Sequence, residues 1–422
     1  MQTTNRFPGQ YNLIKLNLIN YKGYAIDIRQ VFIDLDIQYD VFNTTIHGIL
    51  RFRDKGDFQQ NFPLIGEERI ELVFSVDEQS PTLKFTFYVY QQADKNPNGE
   101  NEFYYSLPFV SEDFIRNEDS IVRQSFYNTN VAEIVSTTLK KISTKPLKVD
   151  EVINTISFIP PSIKPFEVIN YCLPRCISKQ YPKSAGYMFY EDSFGYNLRC
   201  IDSLFKTTPI RYTFEKKNYT SNDFNTEFYS VTNYQIIQQY NVLDNLVKGY
   251  YGSSIYSLNP YTREYTKNSY DYFNDYTMLQ HLESNNVDLK IHSNRFPFKN
   301  AINSNIKLLT EYDYQTKAKQ VPIRLSQLNQ ISNGLKMVIE VPGNTELNVG
   351  KTLELIYPNH TNIEEQRHDI YLKGLYFITG LRHILKPNEF STSLEIIKDS
   401  FKNSIESNDR TGLIVWITKI IL

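Results

Sequence analysis

Six histidines, His47, His281, His292, His360, His368 and His383, are the side chains of this 422-residue chain best suited to hold a metal or shuttle a proton, and none stands in an H-x-x-x-H or H-E-x-x-H arrangement. The spacing that puts two imidazoles on one zinc is therefore absent. Cys172 and Cys176 lie four apart on a predicted helix, which would bring two thiolates to one ion, but no Cys or His follows at finger spacing. Two small side chains on an apolar helix face are the better reading, and Cys200, in a strand-like run, reads as core. No G-x-S-x-G, P-loop or G-x-G-x-x-G occurs, and none of the 47 acidic residues is singled out by spacing as half of a glycosidase pair. The sequence reads as non-enzymatic, with no catalytic, cofactor-binding or metal residue to name and no cofactor expected.

Other residues suit contact rather than chemistry. Tyr261, Tyr265, Tyr270, Tyr272, Phe273 and Tyr276 crowd a Tyr/Asn-rich stretch. Such rings stack on sugars, but they serve protein interfaces as well, so Tyr265, Tyr270 and Tyr272 are candidate partner-binding residues. The densest charge cluster, Glu364, Glu365, Arg367, His368 and Asp369, lies between two predicted strands and reads as a solvated loop. The C-terminal run Gly412 to Leu422 is apolar and β-branched around the single tryptophan, an aggregation hazard if left uncovered. Leu413, Val415, Trp416 and Ile417 are therefore candidates for anchoring a partner by an added strand or short helix.

Hydrophobic residues make up 41% of the chain and aromatics 14%, which favours pleated, half-buried surfaces. With 45 basic and 47 acidic residues the formal net charge is −2, so no global attraction to nucleic acid or an anionic membrane is expected. Three cysteines are too few for a disulfide framework, and a reducing compartment is the default. The N-terminus lacks the apolar segment of a secretory signal, and no stretch reaches the ~18 apolar residues of a membrane span. Synthesis in the cytoplasm and no membrane insertion are the expectations.

The elements that must position these residues repeat. Ile70-Glu71-Leu72-Val73-Phe74 and Leu353-Glu354-Leu355-Ile356-Tyr357 share one pattern, each shortly after a glycine, Gly66 or Gly350. An earlier strand precedes each (Thr44 to Arg53; Leu335 to Val341). A polar loop and a long strand pair follow each (Leu83 to Gln91 with Glu102 to Val110; Tyr371 to His383 with Phe390 to Lys398). Val31, Ile33, Leu35, Ile37 and Tyr39 alternate with polar residues, and the turn Lys95-Asn96-Pro97-Asn98-Gly99 links the last strands of the first copy. The fold class is mainly β with α+β modules: two similar small antiparallel β-barrels plus two peripheral α+β domains. Two copies of one unit per chain would let a trimer present six similar units around one axis. On the wet faces of these strands, Arg51, Arg53, Arg69, Glu71 and Glu354 are candidates for a channel lining or for contacts between barrels.

Between the copies the period changes. Asn130 predicts an N-cap ahead of Val131, Ile134, Val135 and Leu139, and Pro165 a first helical residue. Tyr187 to Tyr190 and Tyr196 to Arg199 predict a hairpin. Residues 211 to 252 read as strand-like, and a helix from about Thr316 to Ile331 is predicted to end with Gly334 in a left-handed cap.

Pro165-Phe166-Glu167-Val168-Ile169-Asn170-Tyr171, followed by Tyr187-Met188-Phe189-Tyr190-Glu191-Asp192 and Gly195-Tyr196-Asn197-Leu198-Arg199-Cys200-Ile201-Asp202-Ser203-Leu204, resembles the second domain of the baseplate central hub subunit of contractile-tailed, T4-like bacteriophages. Ile323-Arg324-Leu325 through Gly334, Gly343 and Leu347-Asn348-Val349-Gly350-Lys351-Thr352-Leu353 resembles that family's helix, strand, turn and "L-x-P-G-x-x-L/I" strand, with Val349 where Pro is common. The resemblance covers residues 10 to 398. It implies barrel (tube) domains at 1–111 and at 211–252 with 320–398, an α+β domain at 112–210, an inserted subdomain at 253–319 and a tail at 399–422. It further implies a virion protein: a homotrimeric hub joining the hexameric tail tube to the trimeric central spike. Spike, tube and wedge proteins would be its partners, and viral DNA would pass without specific binding. The alternative is a glycan-binding tail protein contacting the host surface.

Overall fold

Alternation at two-residue spacing builds most of the chain into strands. A computed structural model describes residues 7–54, 58–77, 79–97, 102–214, 227–238, 241–259, 263–284, 297–298, 311–357 and 372–402. The first quarter supplies β1 (Asn12–Ile19), β2 (Ala25–Asp27), β3 (Phe32–Asp40), β4 (His47–Asp54), β5 (Arg69–Ser75), β6 (Leu83–Val89), β7 (Asp94–Pro97) and β8 (Phe103–Ser111). The middle supplies β9 (Phe126–Asn130), β10 (Leu147–Val149), β11 (Thr155–Phe158), β12 (Tyr187–Asp192) and β13 (Gly195–Cys200). The remainder supplies β14 (Ile210–Thr213), β15 (Asn233–Gln238), β16 (Gly252–Asn259), β17 (Glu264–Asp271), β18 (Pro297–Phe298), β19 (Leu335–Pro342), β20 (Thr352–Ile356), β21 (Gly374–Lys386) and β22 (Glu389–Lys398).

The two β-rich regions have the same strand order. The first runs β3-β4-β8-β6-β5-β1 and the second β15-β19-β22-β21-β20-β14, each strand standing where its counterpart in chain order stands. Gly66 (φ +90°) and Gly350 (φ +78°) both take the left-handed turn, accessible to glycine at little cost, that launches the Glu-centred strand. Every shared pairing is antiparallel but one: β1 runs antiparallel to β5, whereas β14 runs parallel to β20. In each region the residues ahead of the first paired strand reach back across the sheet. Ile28 N–H donates to Leu16 O in the first, and Val231 N–H to Thr213 O in the second.

The two regions are continuous. β3 pairs with β21, so both belong to one 14-stranded sheet and share one core, including Leu35, Leu50, Leu72 and Phe109 on one side of the join and Ile339, Leu355, Leu381 and Leu394 on the other. Burying each such side chain contributes about 1.5–3 kcal/mol before ordering costs.

Residues 122 to 200 pack a separate core under small sheets, while Met188, Tyr190, Ile201 and Leu204 join the first core. The helix Val131–Leu139 starts where Asn130 Oδ1 accepts from Ala132 N at 2.9 Å, and a second helix, Pro165–Cys172, begins on its proline. The hairpin β12–β13 is longer than its sequence pattern predicts and leaves only Ser193 and Phe194 in the turn. A third core of Tyr250, Tyr251, Tyr270, Tyr272 and Leu279 lies with the β16–β17 hairpin.

Several expectations need correction. Lys95 to Pro97 form part of β7 instead of a turn, because they pair with β8 from Tyr105 to Phe103. Residues 211 to 252 are not all strand: Val242–Val247 is a short helix capped by Asn241. The long helix starts earlier and ends later than its apolar spacing predicts, running Glu311–Asn333 with Pro322 inside it. Gly334 is not a left-handed cap; a Cβ there would lie 2.4 Å from the Lys398 carbonyl oxygen, so glycine is needed for close approach of the strand.

Candidate functional site: the seam between the two strand sets

The join of β3 to β21 buries polar groups on both faces, Asp36 on one and His383 on the other. Gly380 to Leu385 face Asp40 to Leu35 in antiparallel register, beginning at a bulge between Ile378 and Gly380. On the wet face, Arg382 grips Asp36 bidentately, Nε to Oδ1 at 2.7 Å and Nη2 to Oδ2 at 2.5 Å, and Gln38 Nε2 donates to the same carboxylate. Arg51 on β4 pairs with Asp34 at 2.7 Å, so alternating charges cross β4, β3 and β21. The dry face holds His383, fully buried among Tyr39, Phe74 and Phe390, with Nδ1 3.0 Å from Thr392 Oγ1. Burial lowers its pKa to about 3, so the ring is neutral at physiological pH.

The predicted wet-face residues are placed as follows. Arg51 lies at this seam, and Arg53 and Arg69 are exposed. Glu71 pairs with Lys15 on β1, and Glu354 with Arg211 on β14 at 2.9 Å. The two glutamates occupy corresponding strands, and each meets a cation on the next strand out. Sequence reasoning missed Asp36 and Arg382; Asp34-x-Asp36 on one strand face was the available signal, but Arg382 follows Asp36 by 346 residues. Reversing Arg69 to Glu is expected to change stability by under ~0.5 kcal/mol, as for an exposed site. Reversing Arg51 to Glu sets a carboxylate opposite Asp34 and is expected to cost about 1 kcal/mol, both read from denaturant midpoints.

The tyrosine run divides. Tyr265 is 63% exposed, but Tyr270 and Tyr272 are 2% and 1% exposed, so they build a core and offer no surface platform. Tyr272 Oη donates to Asp399 O at 3.4 Å. Tyr261, the Glu364–Asp369 cluster and the tail residues Leu413, Val415, Trp416 and Ile417 lie outside the described residues.

A second buried junction ties the α+β module to the first strand set. Glu191 on β12 accepts from Ile46 N at 3.0 Å, from Ser111 Oγ at 2.7 Å and from Lys145 Nζ at 2.5 Å, while Lys145 also pairs with Asp113 at 2.7 Å. Desolvation raises the Glu191 pKa against the pull of Lys145. A third tie is His281, whose Nδ1 lies 2.7 Å from Asp399 Oδ2, resembling the base and orienter of a hydrolase. Its Nε2 lies 3.0 Å from the Tyr276 carbonyl, and the ring stacks on Tyr276 at 3.8 Å, so both nitrogens are engaged by the protein itself. Cys172, Cys176 and Cys200 are buried and unbonded to one another, and burial pushes the Cys172 and Cys200 thiols up to about 12. Among the described residues no group of His, Cys, Asp and Glu has metal-binding geometry, and no helix is long and apolar enough to cross a membrane.

This mainly β fold, with its large sheet and peripheral modules, is similar to that of solved tail proteins. It is similar to the tail protein from Neisseria meningitidis MC58 (TM-score 0.56, 12% identity, covering 92% of this chain and 97% of that one). It is also similar to the 43 kDa tail protein of prophage MuSo2 from Shewanella oneidensis (TM-score 0.54, 11% identity, 91% and 98% covered). No family model matches the chain. In sequence it is 21% identical over 403 residues to the "Probable baseplate hub protein gp334" of Vibrio phage KVP40, covering 90% of this chain and 92% of that protein. The resemblance to a phage baseplate hub protein that the motifs suggest is thus shown over nearly the whole chain.

Proposed function

We propose that the protein is a non-enzymatic hub subunit of a phage tail baseplate, and that its trimer adapts a hexameric tail tube to a trimeric spike. The observation that carries this reading is the repeated strand order within one chain. Two similar units per chain give a threefold assembly six similar positions, which a sixfold partner can match. In this reading the strand sets of residues 1–111 and of 211–252 with 320–398 act as barrels around a DNA channel, supported by the hydrogen bonds from Ile28 and Val231 that reach back toward closure. The other modules sit outside, where wedge proteins would dock. The protein would be made in the host cytoplasm and end in the virion.

Function here is shape and charge balance. Lys15 with Glu71, Arg51 with Asp34, Arg211 with Glu354 and Arg382 with Asp36 each neutralise a cation on the sheet. A surface so paired presents few free cations to phosphate, so DNA would pass without the affinity that each neutralised phosphate adds. Light scattering of the full chain, alone and with its spike partner, tests the assembly: a mass three times that of one chain is expected, and a monomer under both conditions would overturn it.

A further inference from the structure

Among the strand edges left without a strand partner in the described residues, two stand where the internal seam is made in the other set. β15 pairs only with β19, and β7 only with β8. β15 is the counterpart of β3, because each is the outermost strand of its set and each pairs antiparallel with the strand that follows it in that set. β7 is the counterpart of the distal half of β21. Each continues a long hairpin toward its tip, β7 pairing with the start of β8 as residues 380–386 pair with the start of β22. Within the chain, the strand at β3's position and the strand segment at β7's position are joined: that is the β3–β21 seam.

We propose that β15 of one subunit pairs antiparallel with β7 of a second copy of this chain, repeating the internal seam between subunits. This rests on the trimeric reading above and names the contact that would make it. Carrying the internal register across sets Ile236 opposite Lys95 and Gln235 opposite Asn96, as Ile37 stands opposite His383 and Asp36 opposite Ile384, with the β15 bulge at Ile237 following.

Exposure supports this occupant. β15 reads Asn-Tyr-Gln-Ile-Ile-Gln, without the charge or proline that usually protects an edge. Ile237 on it is 52% exposed, and Leu243 and Val247 on the following helix are 77% and 68% exposed. Near β7, Tyr90 is 51% exposed and Tyr104, opposite Asn96, is 37% exposed. Each edge thus carries apolar surface that the other would cover. The uncovered backbone groups of β15 would gain ladder partners, as β3 gains them from β21.

Disulfide trapping on the full chain tests the contact. Gln235→Cys is combined with Asn96→Cys, the facing position, or with Lys95→Cys, one residue along, since residues facing across an antiparallel pair fall within disulfide reach. Positions 235, 95 and 96 are exposed and the three native cysteines are buried, so these variants should fold with an unchanged melting temperature and little background. Oxidation of a double variant should give covalent species of two and three chains. Mixing the corresponding single-cysteine variants should give two-chain species only. A threefold mass with no cross-link from either pairing would overturn the edge contact and leave the trimer standing. A monomeric mass would overturn both.

Discussion

Lowering the pH from 7 to 3 should remove on the order of 4 kcal/mol of stability through His383 alone. The imidazole's pKa falls from 6.5 to about 3 on folding because its site is fully buried. A depressed pKa means that the unfolded chain takes the proton first. The stability the neutral ring contributes is therefore complete above pH 6.5 and is lost as the pH falls towards 3. The loss should be felt at the seam, because His383 lies on β21 opposite Ile37 of β3. His383→Leu removes the titrating group and costs about 1 kcal/mol at pH 7 for the lost Thr392 hydrogen bond. Urea midpoints for both proteins at pH 7 and pH 4 check this: the wild type should lose more stability than the variant between the two, and parallel losses would show that His383 does not govern the acid response.

Glu191→Ala should cost about 3–4 kcal/mol, since it leaves the Ile46 N–H and Ser111 hydroxyl without their carboxylate and Lys145 with Asp113 alone. Glu191→Gln keeps an acceptor and should cost about half as much. The effect should be local. Amide exchange at Ile46 should accelerate on the order of 100-fold in the alanine variant, because the docking that covers it is weakened. Exchange unchanged at Ile46 would show that the α+β module is held by other contacts.

The repeat was legible in the sequence because its signals are local. A glycine able to take positive φ, followed by Glu between two apolar residues, specifies a turn and a half-wet strand wherever it occurs, and the structure has both copies. Asn130 and Pro165 marked helix starts for the same reason. The seam was not legible: β3 and β21 are separated by most of the chain, and alternation gives each strand's faces without naming its neighbour. The reversed direction of β14 was equally hidden, since four alternating residues read alike both ways. The tyrosine run misled because Asn, Ser and Asp around Tyr270 and Tyr272 read as a wet surface, whereas Asp271 and Asp275 turn inward on the run's own backbone N–H groups and the rings pack with Tyr250 and Tyr251. Of the candidate wet-face residues, Glu71 and Glu354 were identifiable from the repeat; their cations, Lys15 and Arg211, required the strand order.

Electron cryo-microscopy of the assembled full-length protein, viewed down its axis, tests most directly whether one chain fills two similar places around a channel. The account predicts a threefold ring in which six similar β-lobes surround the lumen, the first and second strand sets of each chain lying at equal distance from the axis. A ring lined by only one strand set per chain, with the other on the periphery, would contradict it.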